Sequence, residues 1–274
     1  MASHDAGEVV WVRDGHSAEV LPGFLEGLTE EQRAGSRNVS ADAAWIKICV
    51  EKHCPGASLC LDGFHVIQWA AGAAGEVRRP VWNAMRAEAG ELQKQLEKLP
   101  ADAAGEQRAK LREELEKAME KATRIKGSRH ALGKNLENLA PLQQKKPGFV
   151  VETSKELAKA HRLKEMVRLI LQSGDREEAE SAFDDFFWMA THSRLEPFRK
   201  LACSIREHWR SILNTIGIGL SNARIEANNN KIKLMIRKVF GFRNINSLLA
   251  TIMLGCSNLR IPLPNRGGYG MTPC

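Results

Sequence analysis

One segment of this chain concentrates side chains that phosphate or metal chemistry can use. From Asn222 to Phe240 it reads NARIEANNNKIKLMIRKVF. At three- and four-residue spacing, Asn222, Glu226, Asn229, Asn230 and Lys233 share one side of a helix, and Ile225, Ile232, Met235, Ile236 and Val239 form an apolar side. A single carboxylate among amides and cations is thereby carried on a helix that must pack against something. An exposed glutamate on a helix is structurally neutral most of the time. Consecutive asparagines, however, are poor helix formers, so something other than local propensity selects them.

Two more acids stand where short strands are predicted to end. Asp42 follows RNVSA and Asp62 follows ASLCL. Taken singly, such acids are turn or capping residues. Taken with Glu226 they form a set of hard carboxylate oxygens of the kind that magnesium and manganese prefer. Two such ions about 3.5–4 Å apart activate an attacking hydroxyl and stabilise the leaving oxygen of a phosphodiester. Downstream of Glu226 lie Lys231, Lys233, Arg237, Lys238 and Arg243. On charge alone they suit phosphate contact and a solvated helix face equally well.

These residues need elements to position them. GEVVWV, from Gly7, is short, apolar and β-branched, and predicts a buried strand. Ser17 is a candidate N-cap for a helix carrying Leu21, Phe24, Leu25 and Leu28. Arg37–Ala41 predicts a second strand, then a helix through Trp45 to Val50 that ends at Pro55-Gly56, then a third strand at Ala57–Leu61. That order is α/β, and open α/β folds place their sites beyond strand ends. From about Val81 to Ile125 Glu, Lys, Arg, Ala and Leu dominate. Leu92, Leu96 and Leu99 make one stripe, Leu111, Leu115, Met119, Ala122 and Ile125 another, with Pro100 to Gly105 between them. The pattern predicts an antiparallel helical hairpin, with a dimerising coiled coil as the alternative. Further helices are expected over 152–171, 175–191 and about 197–216. Ser221 or Asn222 can cap the Glu226 helix, Gly241 can stop it, and Asn244 can cap a last helix carrying Leu248, Leu249, Ile252, Met253 and Leu254. The Pro- and Gly-rich residues 261–274 read as a flexible tail.

Composition narrows the partners. The chain has 274 residues, 43% hydrophobic and 27% charged, which excludes wholesale disorder. No apolar run approaches the roughly 18–20 residues of a membrane span, and the first residues lack a secretory pattern. A cytoplasmic protein without membrane partners is expected. Lys and Arg number 40 against 33 acids, a net charge of +7, which favours a polyanion, nucleic acid before membrane. Cys49, His53, Cys54 and Cys60 suggest a zinc site at first sight. No second close pair completes a tetrahedron, so reduced thiols are the plainer reading.

The segment SNARIEANNNKIKLMIRKVFGFRN resembles the C-terminal segment of bacterial insertion-sequence transposases of the ISL3 type. The resemblance extends to VSADAAWI, LDGFHVIQWAAGAAGEVRR, SRHALGKNLENL and KAHRLKEMVRLIL, and so from Gly7 to about Leu259. It implies an incomplete ribonuclease-H-like DDE core with a large α-helical insertion, α/β in class and predominantly helical overall. Residues 1–80 would begin the core, 81–200 would be the insertion, and 201–260 would return with the catalytic glutamate. The implied activity is metal-dependent DNA strand cleavage and transfer. Asp42 would be the second catalytic acid and Glu226 the third, together holding Mg2+ or Mn2+, with two ions in an intact site. Asp62 and His65 would form a supporting Asp-x-x-His element, Asn229 and Asn230 would support Glu226, and the downstream cations would contact DNA. The partners implied are transposon ends, target DNA and further copies of the chain, near the bacterial nucleoid, with no small-molecule substrate. The family's first acid lies on a strand upstream of GEVVWV, and neither Asp5 nor Asp14 falls in its place. The expectation is therefore a truncated copy, a misassigned start or a gene fragment, without the zinc-ribbon and helix-turn-helix regions and inactive alone. The alternative is a non-catalytic DNA-binding or dimerising remnant.

Overall fold

The structure, a computed structural model, describes residues 1–3, 5–15, 19–40, 44–100, 105–128, 153–219 and 223–259. Helix dominates. Strand is confined, among the described residues, to β1 (Asn38–Ser40) and β2 (Ser58–Cys60), the second and third strands that the sequence predicts. The chain divides into two compact units, Met1–Val39 with Ala43–Ala57 and Ser221–Cys274, and Ser40–Asp42 with Ser58–Leu220.

The first unit holds α1 (Val20–Glu26), α2 (Glu30–Gly35) and α3 (Ala44–His53). Leu21 and Leu25 of α1 bury against Cys49, Val50 and Cys54. Sequence periodicity does not reveal α2, which is too short to show it. Its signal is a capping box in which Thr29 and Gln32 satisfy each other's backbone amides. Ser17, the expected cap of α1, lies outside the described residues, and Glu19 precedes the helix without a side-chain cap. GEVVWV does not form a regular strand. Val9 makes an isolated antiparallel bridge to Ala2, and its amide donates to the Cys256 carbonyl at 2.8 Å. Its hydrogen bonds go to a helix end, where a free carbonyl is available, in place of a ladder. The same unit ends in α10 (Ala223–Lys238) and α11 (Ile245–Cys256), the latter capped by the Asn244 side chain as expected.

The second unit contains α4 (Gly63–Lys98), α5 (Gly105–Gly127), α6 (Lys155–Gln172), α7 (Arg176–His192), α8 (Glu196–Glu207) and α9 (Trp209–Ile218). Val66, Ala70, Ala73, Ala74 and Val77 form the buried stripe of α4, which runs unbroken through Pro80. Opposite lie Leu157, Leu163 and Val167 of α6 and Phe183 and Phe186 of α7, all at most 1% exposed. The predicted hairpin is present: Ala89 of α4 packs with Leu115 and Ala118 of α5, flanked by Leu92 and Leu96. One continuous helix over 197–216 is not found. The chain breaks at His208 (φ −100°, ψ 16°), and Trp209 packs edge-on against Phe183 at 5.3 Å. Tertiary packing of a large indole overrides the local period there. α9 also completes the backbone around β2. The Leu61 amide donates to the Ser211 carbonyl at 3.1 Å, and Asn214 Nδ2 and Thr215 Oγ1 donate to the Leu59 and Leu61 carbonyls at 3.1 and 2.6 Å. Those carbonyls would otherwise lose a partner on burial.

Candidate functional site

α10 has two distinct sides. Ile232 and Met235 pack on Val9, Ile252 and Cys256. Asn228, on that side, donates Nδ2 to the Gly7 carbonyl at 2.8 Å. A Cβ on Gly255 would overlap the end of the Met235 side chain, so a larger residue there would turn that flexible side chain aside. The opposite side carries Glu226, Asn229, Asn230, Lys233 and Arg237, all exposed. Of the polar grouping expected from spacing, Glu226, Asn229, Asn230 and Lys233 lie on this exposed side, away from the packed seam, and Asn222 lies outside the described residues. Val239 of the expected apolar side is 50% exposed. No hydrogen bond or ion pair engages Glu226 among the described residues.

The cations downstream divide. Lys233, Arg237, Lys238 and Arg243 are exposed. Lys231 is exposed but committed: its Nζ donates to the Gly255 carbonyl in the last turn of α11, where a cation meets the negative helix end. α10 stops as the sequence predicts. Phe240 and Gly241 take left-handed conformations (φ 55° and 100°), and the Gly241 amide donates to the Ile236 carbonyl at 3.0 Å.

Asp62 is 8% exposed and caps α4, its Oδ1 accepting from the Phe64 amide at 3.1 Å. His65, half-buried, follows in the first turn, its amide donating to the Asp62 carbonyl at 3.0 Å. The Asp-x-x-His pair is thus one local unit at a helix start. Glu226 with its amides is another, on the other compact unit. Asp42, Ser221 and Asn222 lie outside the described residues.

Sequence reasoning missed an ionic cluster on α6. Lys164 and Arg168 are 3% and 8% exposed, and Glu165 bridges them, with Lys164 Nζ at 2.5 Å and Arg168 Nε at 2.8 Å. Burial alone would raise the Glu165 carboxyl, but these two hydrogen-bonded cations outweigh it and hold the group below the ordinary carboxylate range. His161 lies one turn earlier, its Nδ1 buried without a hydrogen-bond partner, and burial and the Lys164 charge push its pKa down. The signal was present in the sequence. Lys164 and Arg168 fall at helical spacing from Leu157 and Ala160, inside an otherwise apolar stripe.

The donor chemistry bears on a metal as follows. Among the described residues no three His, Cys, Asp or Glu side chains converge. Glu226 offers an uncommitted, solvent-facing carboxylate, which suits a hard cation that keeps its waters, whereas Asp62 already spends one oxygen on its cap. Burial pushes the Cys49 and Cys60 thiols up, which keeps them protonated. No helix among the described residues is long and apolar enough to cross a membrane.

Comparison with known proteins gives a consistent family. A family model of ISL3-group DDE transposases, described as "Transposase", matches residues 1–252. Transposases for insertion sequence element IS1557 from two strains of Mycobacterium tuberculosis are each 37% identical over 270 residues, covering 98% of this chain and 59% of theirs. The chain thus spans about three-fifths of the length of the curated relatives it matches. No solved structure matches.

Proposed function

This chain belongs to the ISL3 family of transposases, and on that footing we propose that it carries part of a DNA-processing centre for moving an insertion sequence. The observation that carries the proposal is the free Glu226 carboxylate on the outward side of α10, with Lys233 and Arg237 about two and three turns along the same side. A carboxylate beside cations is what a phosphodiester and its metal require: the acid holds the ion and the cations hold the strand. Glu226 and Asp42 would be the ligands for Mg2+ or Mn2+, within a ribonuclease-H-like core. Bound there, two ions would supply an activated hydroxyl and stabilise the leaving 3′-oxygen. Asn229 and Asn230 would hold Glu226 or the strand by hydrogen bonds. Lys233, Arg237, Lys238 and Arg243 would contact phosphates. Lys231 contributes by tying α10 to the last turn of α11. Asp62 and His65 would shape the start of α4 and so act as positioning residues. Assembly of several copies on paired DNA ends fits the family.

The test is binding of a labelled duplex carrying insertion-sequence ends by the chain, with and without Mg2+. Binding that Mg2+ strengthens, and that loses this dependence in Glu226→Gln, is the expected outcome. A Mg2+ dependence that survives Glu226→Gln contradicts the role given to that residue.

A further inference from the structure

We propose that the α4–α5 hairpin is a contact site for single-stranded DNA, built on Trp82 and separate from the α10 surface. The hairpin encloses a groove of about 400 Å³, within the roughly 300–1,000 Å³ of typical ligand pockets. Its floor is apolar, with Ala89, Leu115 and Ala122 buried and Met119, 55% exposed, forming one edge. Trp82 forms a wall, with the Arg86 guanidinium and the Lys126 ammonium 5.8 and 5.9 Å from its ring centroid.

Charge selects the occupant. Four other cations of the hairpin pair with carboxylates of their own helices: Lys94 with Glu91, Lys110 with Glu106, Lys117 with Glu113 and Arg124 with Glu120. Arg86 and Lys126 have no such carboxylate among the described residues, and no acid lines the groove. An anion is therefore favoured, and an apolar floor beside an indole favours one that also carries flat rings. A single strand has both, phosphates for the two cations and an exposed base face for the indole. A duplex keeps its base faces stacked inside.

Gly90 of α4 lines the groove, and a Cβ there would meet nothing within 4 Å, so a larger side chain at this position has room to fill the space. The inference extends the DNA reading of this family without depending on Glu226.

The experiment is fluorescence anisotropy of a labelled oligo-dT strand with the full chain, compared with labelled duplex and oligo-U. Gly90→Leu plugs the groove while favouring the helix. It is expected to keep the thermal midpoint and to weaken oligo-dT binding by about tenfold or more. Arg86→Glu with Lys126→Glu is expected to lower the salt slope of binding by about 1.4, two phosphates at ~0.7 each. Oligo-dT is expected to quench tryptophan emission, and Trp82→Phe to shrink that quench. Absence of oligo-dT binding, unchanged affinity in Gly90→Leu, tighter binding of oligo-U, or an effect of the hairpin variants on self-association alone would each overturn the proposal. The α10 reading is judged separately, by duplex binding of Lys233→Glu with Arg237→Glu.

Discussion

Asp62 and Glu226 are both acids of the expected site, yet their surroundings assign them different work. Asp62 is buried and its Oδ1 accepts the Phe64 amide, so its first task is to start α4. Asp62→Ala removes that cap and is expected to cost about 1 kcal/mol, whereas Asp62→Asn keeps an acceptor and stays close to the parent. Glu226 is exposed and makes no hydrogen bond or ion pair among the described residues. Glu226→Gln is expected to leave stability within about 0.5 kcal/mol, as exposed substitutions do. Thermal unfolding followed by circular dichroism checks both. A large loss in Glu226→Gln would show a structural role and remove the reason for reading it as a functional carboxylate.

At the scale of elements, α6 carries His161 and Glu165, through which stability is expected to depend on pH. Burial and Lys164 hold His161 in its neutral form, with its folded pKa below the unfolded value. Its contribution is therefore complete above about pH 6.5 and is lost as pH falls through the lower folded value. Glu165, also depressed when folded, gives a second loss, beginning below about pH 4.3. The expected result is a thermal midpoint that declines below about pH 6.5, with a shallower decline in His161→Gln over pH 5–6.5. Identical slopes would contradict it. The elements that the sequence reveals are those whose signal is local. The hairpin stripes, the Asn244 cap, the Gly241 stop and the strands around Val39 and Leu59 all appear. What it conceals depends on distant partners. GEVVWV reads as a strand until the Val9 amide finds the Cys256 carbonyl and the Val10 and Trp11 amides find Met1 in place of a regular ladder, and the 197–216 helix reads as unbroken until Trp209 packs among the phenylalanines. The outward side of α10 is legible from spacing alone. The commitment of Lys231 to Gly255 is not, because that carbonyl is 24 residues away.

At the scale of the molecule, the two compact units differ in what holds them. One contains a continuous core around Phe183, Phe186, Phe198 and Ile205. The other contains two small clusters, around Leu25 and Val50 and around Val9 and Ile252. Buried apolar area dominates stability, so α6–α8 are expected to exchange their amide hydrogens slowest and α1 and α10 markedly faster. Hydrogen exchange read by mass spectrometry checks this, and equal protection of α10 and α7 would contradict it. A lightly held α10 suits a surface that must adjust to a DNA strand.

The measurement that bears most directly on the shared carboxylate site is Mn2+ binding followed by electron paramagnetic resonance, on the chain and on Asp42→Asn, Glu226→Gln and their combination. If both carboxylates grip one ion, each single substitution weakens binding and the double variant is little weaker than either, because ligands of one centre act as a unit. Affinity that is unchanged in Glu226→Gln, or losses that simply add, would mean that the two acids do not share a cation.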